Sequence, residues 1–187
     1  MANETAATAA TSVTTWEIDP VHSSAQFKVR HMMISNVKGE FTAIHGSMKL
    51  DRADITRSSV EASIDASSIS TRDAQRDGHL KSADFLDAEH HPSLTFRSTK
   101  ITRRPDGTVE AAGDLTIHGI TRPAIFQVEG PTPETKDPWG NTRLAISATT
   151  VIDRKDFGLV WNSALETGGV LVGDQVTITL DAEFLKK

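Results

Sequence analysis

The residues of this chain best suited to chemistry are seven histidines, His22, His31, His45, His79, His90, His91 and His118, set among 25 acidic side chains. Imidazole and carboxylate together suit metal binding, acid–base catalysis and activation of a serine. Their spacing favours none of these. A zinc site often shows a local pair of histidines roughly three to five residues apart. No two of these histidines have that spacing. His90 and His91 are adjacent, and on a strand adjacent side chains face opposite ways. A serine nucleophile would want a strained G-x-S-x-G elbow, which is absent. "HSS" at 22–24 only sets His22 beside Ser23 and Ser24, which read as hydrogen-bonding groups at a strand entrance. "DFG" at 156–158 stands without a phosphate loop or a catalytic loop, so it reads as a turn. In that turn Phe157 packs, Gly158 bends the backbone, and Arg154 and Asp156 are placed to pair. The expectation is no metal site, no catalytic residue and no enzyme.

The elements that carry these histidines have a period of two. In "AQFKVRHMMIS", residues 25–35, one face holds Ala25, Phe27, Val29 and His31 and the other Gln26, Lys28, Arg30 and Met32. Such alternation marks a half-buried strand. His31 therefore shares a face with Phe27 and Val29. Two readings follow: a core histidine bonded to its wall, or a polar group at the head of a bound molecule. The same period recurs in Val60–Ala66, in Leu94 and Phe96, Leu115 and Ile117, and Phe126 and Val128. It continues through Leu144, Ile146, Ala148, Thr150 and Ile152, and through Val176, Ile178, Leu180, Ala182 and Phe184. Turn signals separate these runs at "RPDG", "HGITRP" and "DPWGN".

One polar stretch breaks the pattern and predicts a short helical insertion around residues 71–87. Ser70 or Thr71 can cap it, Asp73 suits its first turn and Gly78 keeps it short. Phe85 and Leu86 are its apolar anchors. The fold class expected is all-β: a closed antiparallel barrel of about eight strands, since closure removes exposed edges. Small inward residues, Ala25, Ala62, Ala66, Gly113, Ala148 and Ala182, favour a cavity over a packed plug.

The totals agree. The chain has 187 residues, 37% of them apolar, enough for one domain with a core. A net charge of −5 argues against nucleic acid as a partner. The absence of cysteine excludes disulfides and thiol chemistry. No apolar run approaches the roughly 20 residues of a membrane span, so an integral membrane protein is not expected. Residues 1–14 read as a disordered tail and 15–187 as the barrel domain. The tail lacks the basic start and apolar centre of a secretory signal. The expected compartment is the cytoplasm, or the periplasm if a signal has been removed upstream.

Five segments in order resemble the YceI-like family: "WEIDPVHSSAQFKVRHMMISNVKGEF", "DGHLKSADFLDAEHHPSLTFRS", "GDLTIHGITRP", "DRKDFGLVWN" and "GGVLVGDQVTITLDAEF". The resemblance spans residues 16–184. It implies a lipocalin-like barrel with a helix over it, and an apolar tunnel for polyisoprenoids, prenyl quinones or other long amphiphiles. Dimers occur in the family, which admits a homodimer here. The expected function is non-catalytic binding, storage or transport of such a lipid. The expected wall is Phe27, Val29, Phe96, Leu115, Ile117, Phe126, Ile146, Ile152, Val176 and Ile178, with His31 near a head group and Phe85 covering one end. No cofactor is expected besides the lipid. Two other readings stand beside it: an enzyme using a cavity histidine on a lipid, and an interaction protein with a filled barrel.

Overall fold

The alternating runs become strands of one antiparallel sheet that closes on itself. The computed structural model describes residues 13–166 and 168–187. The strands are β1 (Val13–Ile18), β2 (Ser24–His31), β3 (Ser35–Phe41), β4 (Ile44–Asp51), β5 (Ser59–Asp65) and β6 (Ile69–Ser70). After the one α-helix among the described residues, α1 (Ala74–Lys81), come β7 (Ser93–Arg103), β8 (Val109–Ile117), β9 (Ile120–Glu129), β10 (Thr135–Lys136), β11 (Thr142–Asp153) and β12 (Val172–Lys186). Eight of them close a ring in the order β1-β4-β5-β7-β8-β9-β11-β12. The barrel expected from the alternation is therefore the fold.

The seam is β12, which has 15 residues. Along one edge it pairs with β11, from Arg143↔Leu185 to Asp153↔Gln175. Along the other edge its C-terminal end pairs with β1 through Ile18↔Phe184. The rest of that edge pairs with β2, from Ser24↔Asp181 to His31↔Val172. The β2–β3 hairpin and β6 thus extend from the ring as a flap beside one end of the barrel.

The helix forms where the polar stretch predicts it, but its cap is Asp73, whose Oδ1 accepts the Arg76 N–H at 3.0 Å. Neither Ser70 nor Thr71 caps it. Thr71 is committed elsewhere: its N–H and its hydroxyl both donate to Asp77 Oδ1, at 2.8 and 2.6 Å. Arg76 then donates to the Thr71 hydroxyl and carbonyl, so α1 is tied down to the end of β6. Phe85 and Leu86 are buried in the turn that follows, as expected.

The interior is divided along the barrel axis. One end is packed solid around Trp16 and Phe184, both 0% exposed, with Ile44, Met48, Leu50 and Leu144. A charged strap closes the surface there. Arg143 donates to Asp19 at 2.6 Å, to Asp137 at 2.7 Å and to Glu183 at 2.5 Å. The strap joins β11, β12 and the turns after β1 and β10.

Four expectations need correction. Val13 and Thr14 are not tail: they pair with Asp51 and Leu50 in β1. The remaining residues of that proposed tail, 1–12, lie outside the described residues. Ala66 is not on an inward strand face but in a 3₁₀ turn, Ala66–Ser68. Arg154 does not pair with Asp156. It donates to the carbonyls of Leu159, Trp161, Val172 and Gly173, because the chain folds back over it and these orphan acceptors need a donor. Gly113 leaves no room in the barrel, since a Cβ there would fall 2.8 Å from Phe96 Cζ and 2.2 Å from the Arg97 carbonyl oxygen.

Candidate functional site

The other end of the barrel is hollow. A cavity of about 150 Å³ lies between the β2 flap, the ring strands and α1. Ten residues of the expected site line it: Phe27, Val29, Phe85, Phe96, Leu115, Ile117, Phe126, Ile152, Val176 and Ile178. Ala25 and Ala62 also line it and give it width, whereas Ala148 and Ala182 are packed into the cores.

Ile146 does not reach the cavity. It shares a strand face with Ile152 but packs in the solid end beside Leu144. Six residues of strand separate the two, about 20 Å at strand spacing. Period two assigns a face and says nothing of height along the axis.

Several wall residues carry no clear alternating signal. Leu80 comes from α1, Leu86 from the turn after it and Leu159 from the loop after β11. They cover the cavity from the side opposite the sheet, and only the chain's return brings them there. The one buried polar side chain in the wall is Arg154, 3% exposed, and its guanidinium is engaged by the four carbonyls named above. Burial lowers its pKa, partly offset by Asp174 and Asp153. Its donors hold the loop over the cavity and are not aimed at a guest.

A second, outer chamber of about 380 Å³ adjoins the cavity and shares Phe27, Val29, Leu80, Phe85 and Val172 with it. This mouth is more polar than the cavity. Arg30, His31, Asp73, Gln75, Arg76 and His79 line it with Trp161 and Leu171. His79 sits edge-on against Trp161 at 4.7 Å and against Phe85 at 5.1 Å between ring centroids, and its Nε2 lies 2.8 Å from Asp84 Oδ2. His31 is half-buried at the end of β2, and no protein group hydrogen-bonds its ring among the described residues. It lies in the mouth and not in the apolar cavity, one step further out than its alternation with Phe27 and Val29 suggests.

The barrel thus encloses a carbon-lined cavity that opens into a chamber with charged and polar residues in its wall. The model of the YceI-like domain matches residues 16–184. The chain belongs to the YceI-like family. It is 40% identical over 138 residues to a UPF0312 protein of Vibrio cholerae, covering 74% of this chain and 72% of that one. The crystal structure of BcnA from Burkholderia cenocepacia superposes with a TM-score of 0.74 at 21% identity, covering 89% of this chain and 98% of that one. A polyisoprenoid binding domain from Saccharophagus degradans superposes with a TM-score of 0.63 at 12% identity, covering 92% and 98%. These two likenesses carry the fold. Among the described residues no helix is long and apolar enough to cross a membrane.

Two groups of possible metal ligands are also brought together, each with its donor atoms within 4.8 Å of one another: Asp87, His91 and His118, and Asp19, His22 and Glu183. Sequence spacing reveals neither, because each draws on separate turns of the barrel.

Proposed function

We propose that this protein binds a long apolar chain of the polyisoprenoid or prenyl-quinone class, for storage or transport and without chemical change. The observation that carries the reading is the cavity itself, whose wall is hydrocarbon apart from the committed Arg154 and the bordering residues Gln26 and Thr95. Each buried CH₂ contributes about 0.8 kcal/mol, so a segment of ten carbons gains about 8 kcal/mol before its rotors are frozen. The cavity takes the tail and the outer chamber takes the polar end. That the Saccharophagus degradans neighbour is a polyisoprenoid binding domain supports the same ligand class. Solvent extraction of the purified protein followed by mass spectrometry tests the reading. A co-purified isoprenoid supports it, and a protein that takes up no prenyl chain on incubation refutes it.

His31 is the proposed contact for the head group, since it lines the mouth and its ring has no protein partner among the described residues. Replacing it by Leu is expected to weaken a quinone-headed chain by about 1 kcal/mol, one neutral hydrogen bond, relative to a plain hydrocarbon chain. Equal losses for both ligands, measured by competitive displacement, would return His31 to a purely structural role.

Transport requires exchange with a membrane, and the rim is suited to it. The tip of the β2–β3 hairpin exposes Met33 (55%) and Ile34 (77%), next to Met32. Behind the tip, Lys28 and Lys38 face each other directly across the strands, an arrangement unfavourable in water and favourable against anionic head groups. Converting Met33 and Ile34 to Asp is expected to slow uptake of lipid from anionic vesicles by about tenfold or more, since burying one such side chain contributes at least ~1.5 kcal/mol. Unchanged transfer in a fluorescent-lipid assay would show that the tip does not touch the bilayer.

A further inference from the structure

Of the two ligand-type groups, one is already neutralised. Asp19 and Glu183 both accept from Arg143, so a cation there would meet a guanidinium. Asp87, His91 and His118 are different. Among the described residues no Lys or Arg pairs with Asp87, whose one ion-pair partner is the exposed His90, at 2.9 Å from Oδ1.

Three features, drawn from three parts of the chain, hold the two imidazoles in place. His118 and Gly119 form the two-residue loop between β8 and β9, both with positive φ, 52° and 71°. His118 Nδ1 lies 3.3 Å from the Phe157 carbonyl oxygen, which can only accept, so in the neutral ring the tautomer with Nδ1–H leaves the Nε2 lone pair available to a metal. A backbone carbonyl on the far nitrogen is how metal-bound histidines are commonly oriented. His91 is seated by Gly119: a Cβ at that position would fall 2.6 Å from the His91 Cε1 and 2.8 Å from Nδ1. The two rings meet edge to face with centroids 4.9 Å apart. Asp87 starts the turn that returns His91 to this place, through the His91 N–H donating to the Asp87 carbonyl at 2.8 Å.

We infer that Asp87, His91 and His118 form a binding site for a first-row divalent transition metal of the zinc class. Two imidazole nitrogens and one carboxylate oxygen are the donor set such ions take, with a further position left to water. One carboxylate is too few for calcium, and magnesium seeks oxygen ligands. Donor atoms around a tetrahedral zinc stand about 3.3 Å apart, given Zn–N bonds of about 2.0–2.1 Å. The observed spread of up to 4.8 Å therefore has to close by at most about 1.5 Å, through rotation of three half-buried side chains. Leu86 and Ile117, the chain neighbours of Asp87 and His118, line the lipid cavity. A bound ion would thus fasten the segment covering the cavity to the β8–β9 hairpin. The inference is independent of what the cavity carries.

Zinc and cobalt(II) as their chlorides, added to metal-stripped protein, test it. Zinc at about a hundredfold excess over its dissociation constant is expected to raise Tm by about 5–10 °C. Cobalt(II) is expected to give the visible absorption of a low-coordinate site. Both responses should be lost in His91→Gln and in His118→Gln and kept in His22→Gln, with the metal-free Tm of each variant showing that it folds. Two ligand variants keep the test decisive if one fails to fold. No response in the wild type, a response that survives both ligand variants, or one that disappears in His22→Gln would overturn the site.

Discussion

Ile178→Trp is expected to empty the barrel of lipid while leaving the protein folded. Ile178 stands in the middle of the hollow end, paired with Phe27 of β2 on one side and Thr150 of β11 on the other. Its side chain points into a cavity of about 150 Å³. An indole there fills space that the guest would occupy. In a packed core such a change costs typically about 1–3 kcal/mol through strain. In a hollow the cost falls toward the low end, because the ring meets empty space before it meets atoms. Lipid retention should drop by at least tenfold, measured as moles of extracted lipid per mole of protein, while Tm falls by a few degrees. The same swap in the solid end, Ile146→Trp, should do the reverse and destabilise without a specific effect on lipid. Full lipid occupancy in a folded Ile178→Trp protein would remove this strand from the cavity wall.

Arg143→Met is expected to destabilise the protein near pH 7 by clearly more than the ~1 kcal/mol of an ordinary surface ion pair. Arg143 holds three carboxylates, and its removal leaves buried Asp19 and half-buried Asp137 and Glu183 without their shared cation. The Arg143 hydrogen bond, with help from His22, holds Asp19 at about 2, well below the usual carboxylate range. Burial pushes Asp137 upward, but Arg143, Asn141 and the Trp139 N–H together outweigh it and leave the group well below that range too. Arg143 is correspondingly raised, first by Asp19. A depressed folded-state pKa stabilises above the unfolded value and ceases to do so as pH falls through the folded one. The wild type should therefore lose this contribution between about pH 4 and pH 2, with about 2 kcal/mol from Asp19. The variant should behave oppositely at first. Without the cation its clustered carboxylates take up protons more readily, so its deficit against the wild type should narrow from pH 7 to pH 4. Urea unfolding at the two pH values checks this. A deficit under about 1 kcal/mol at pH 7, or one that widens on acidification, would show the strap to be an ordinary surface ion pair.

Strand content, barrel closure and nine of the ten expected residues that line the cavity, all but Phe85, were legible in the sequence because period two is a direct consequence of the pleat. Phe27, Val29, Val176 and Ile178 could be assigned to one interior face with no knowledge of their partners. The helical insertion was legible for a similar reason, since a polar run with Asp73 ahead of it and few β-branched residues cannot continue a sheet. Its cap was not, because whether Thr71 or Asp73 takes that role depends on Asp77 reaching back to Thr71.

What alternation leaves open is position along the barrel axis and the company each residue keeps. Ile146 and Ile152 are equivalent in pattern, yet one packs against the solid end and the other lines the hollow end. His31 belongs to the face of Phe27 but opens into the mouth, because β2 ends there and its hairpin turns outward. Arg154 gives no sign in the sequence that it will bind four carbonyls of a returning loop. His91 and His118 lie on different turns of the chain, and the antiparallel pairing of β7 with β8, with Thr95 opposite Thr116, sets the β8–β9 loop beside the residues that precede β7. By itself the sequence determined which face each side chain takes, since that follows from local backbone geometry. The tertiary structure alone decided where the barrel is hollow and which polar groups meet, because those follow from how distant strands register against one another and where the chain folds back across them.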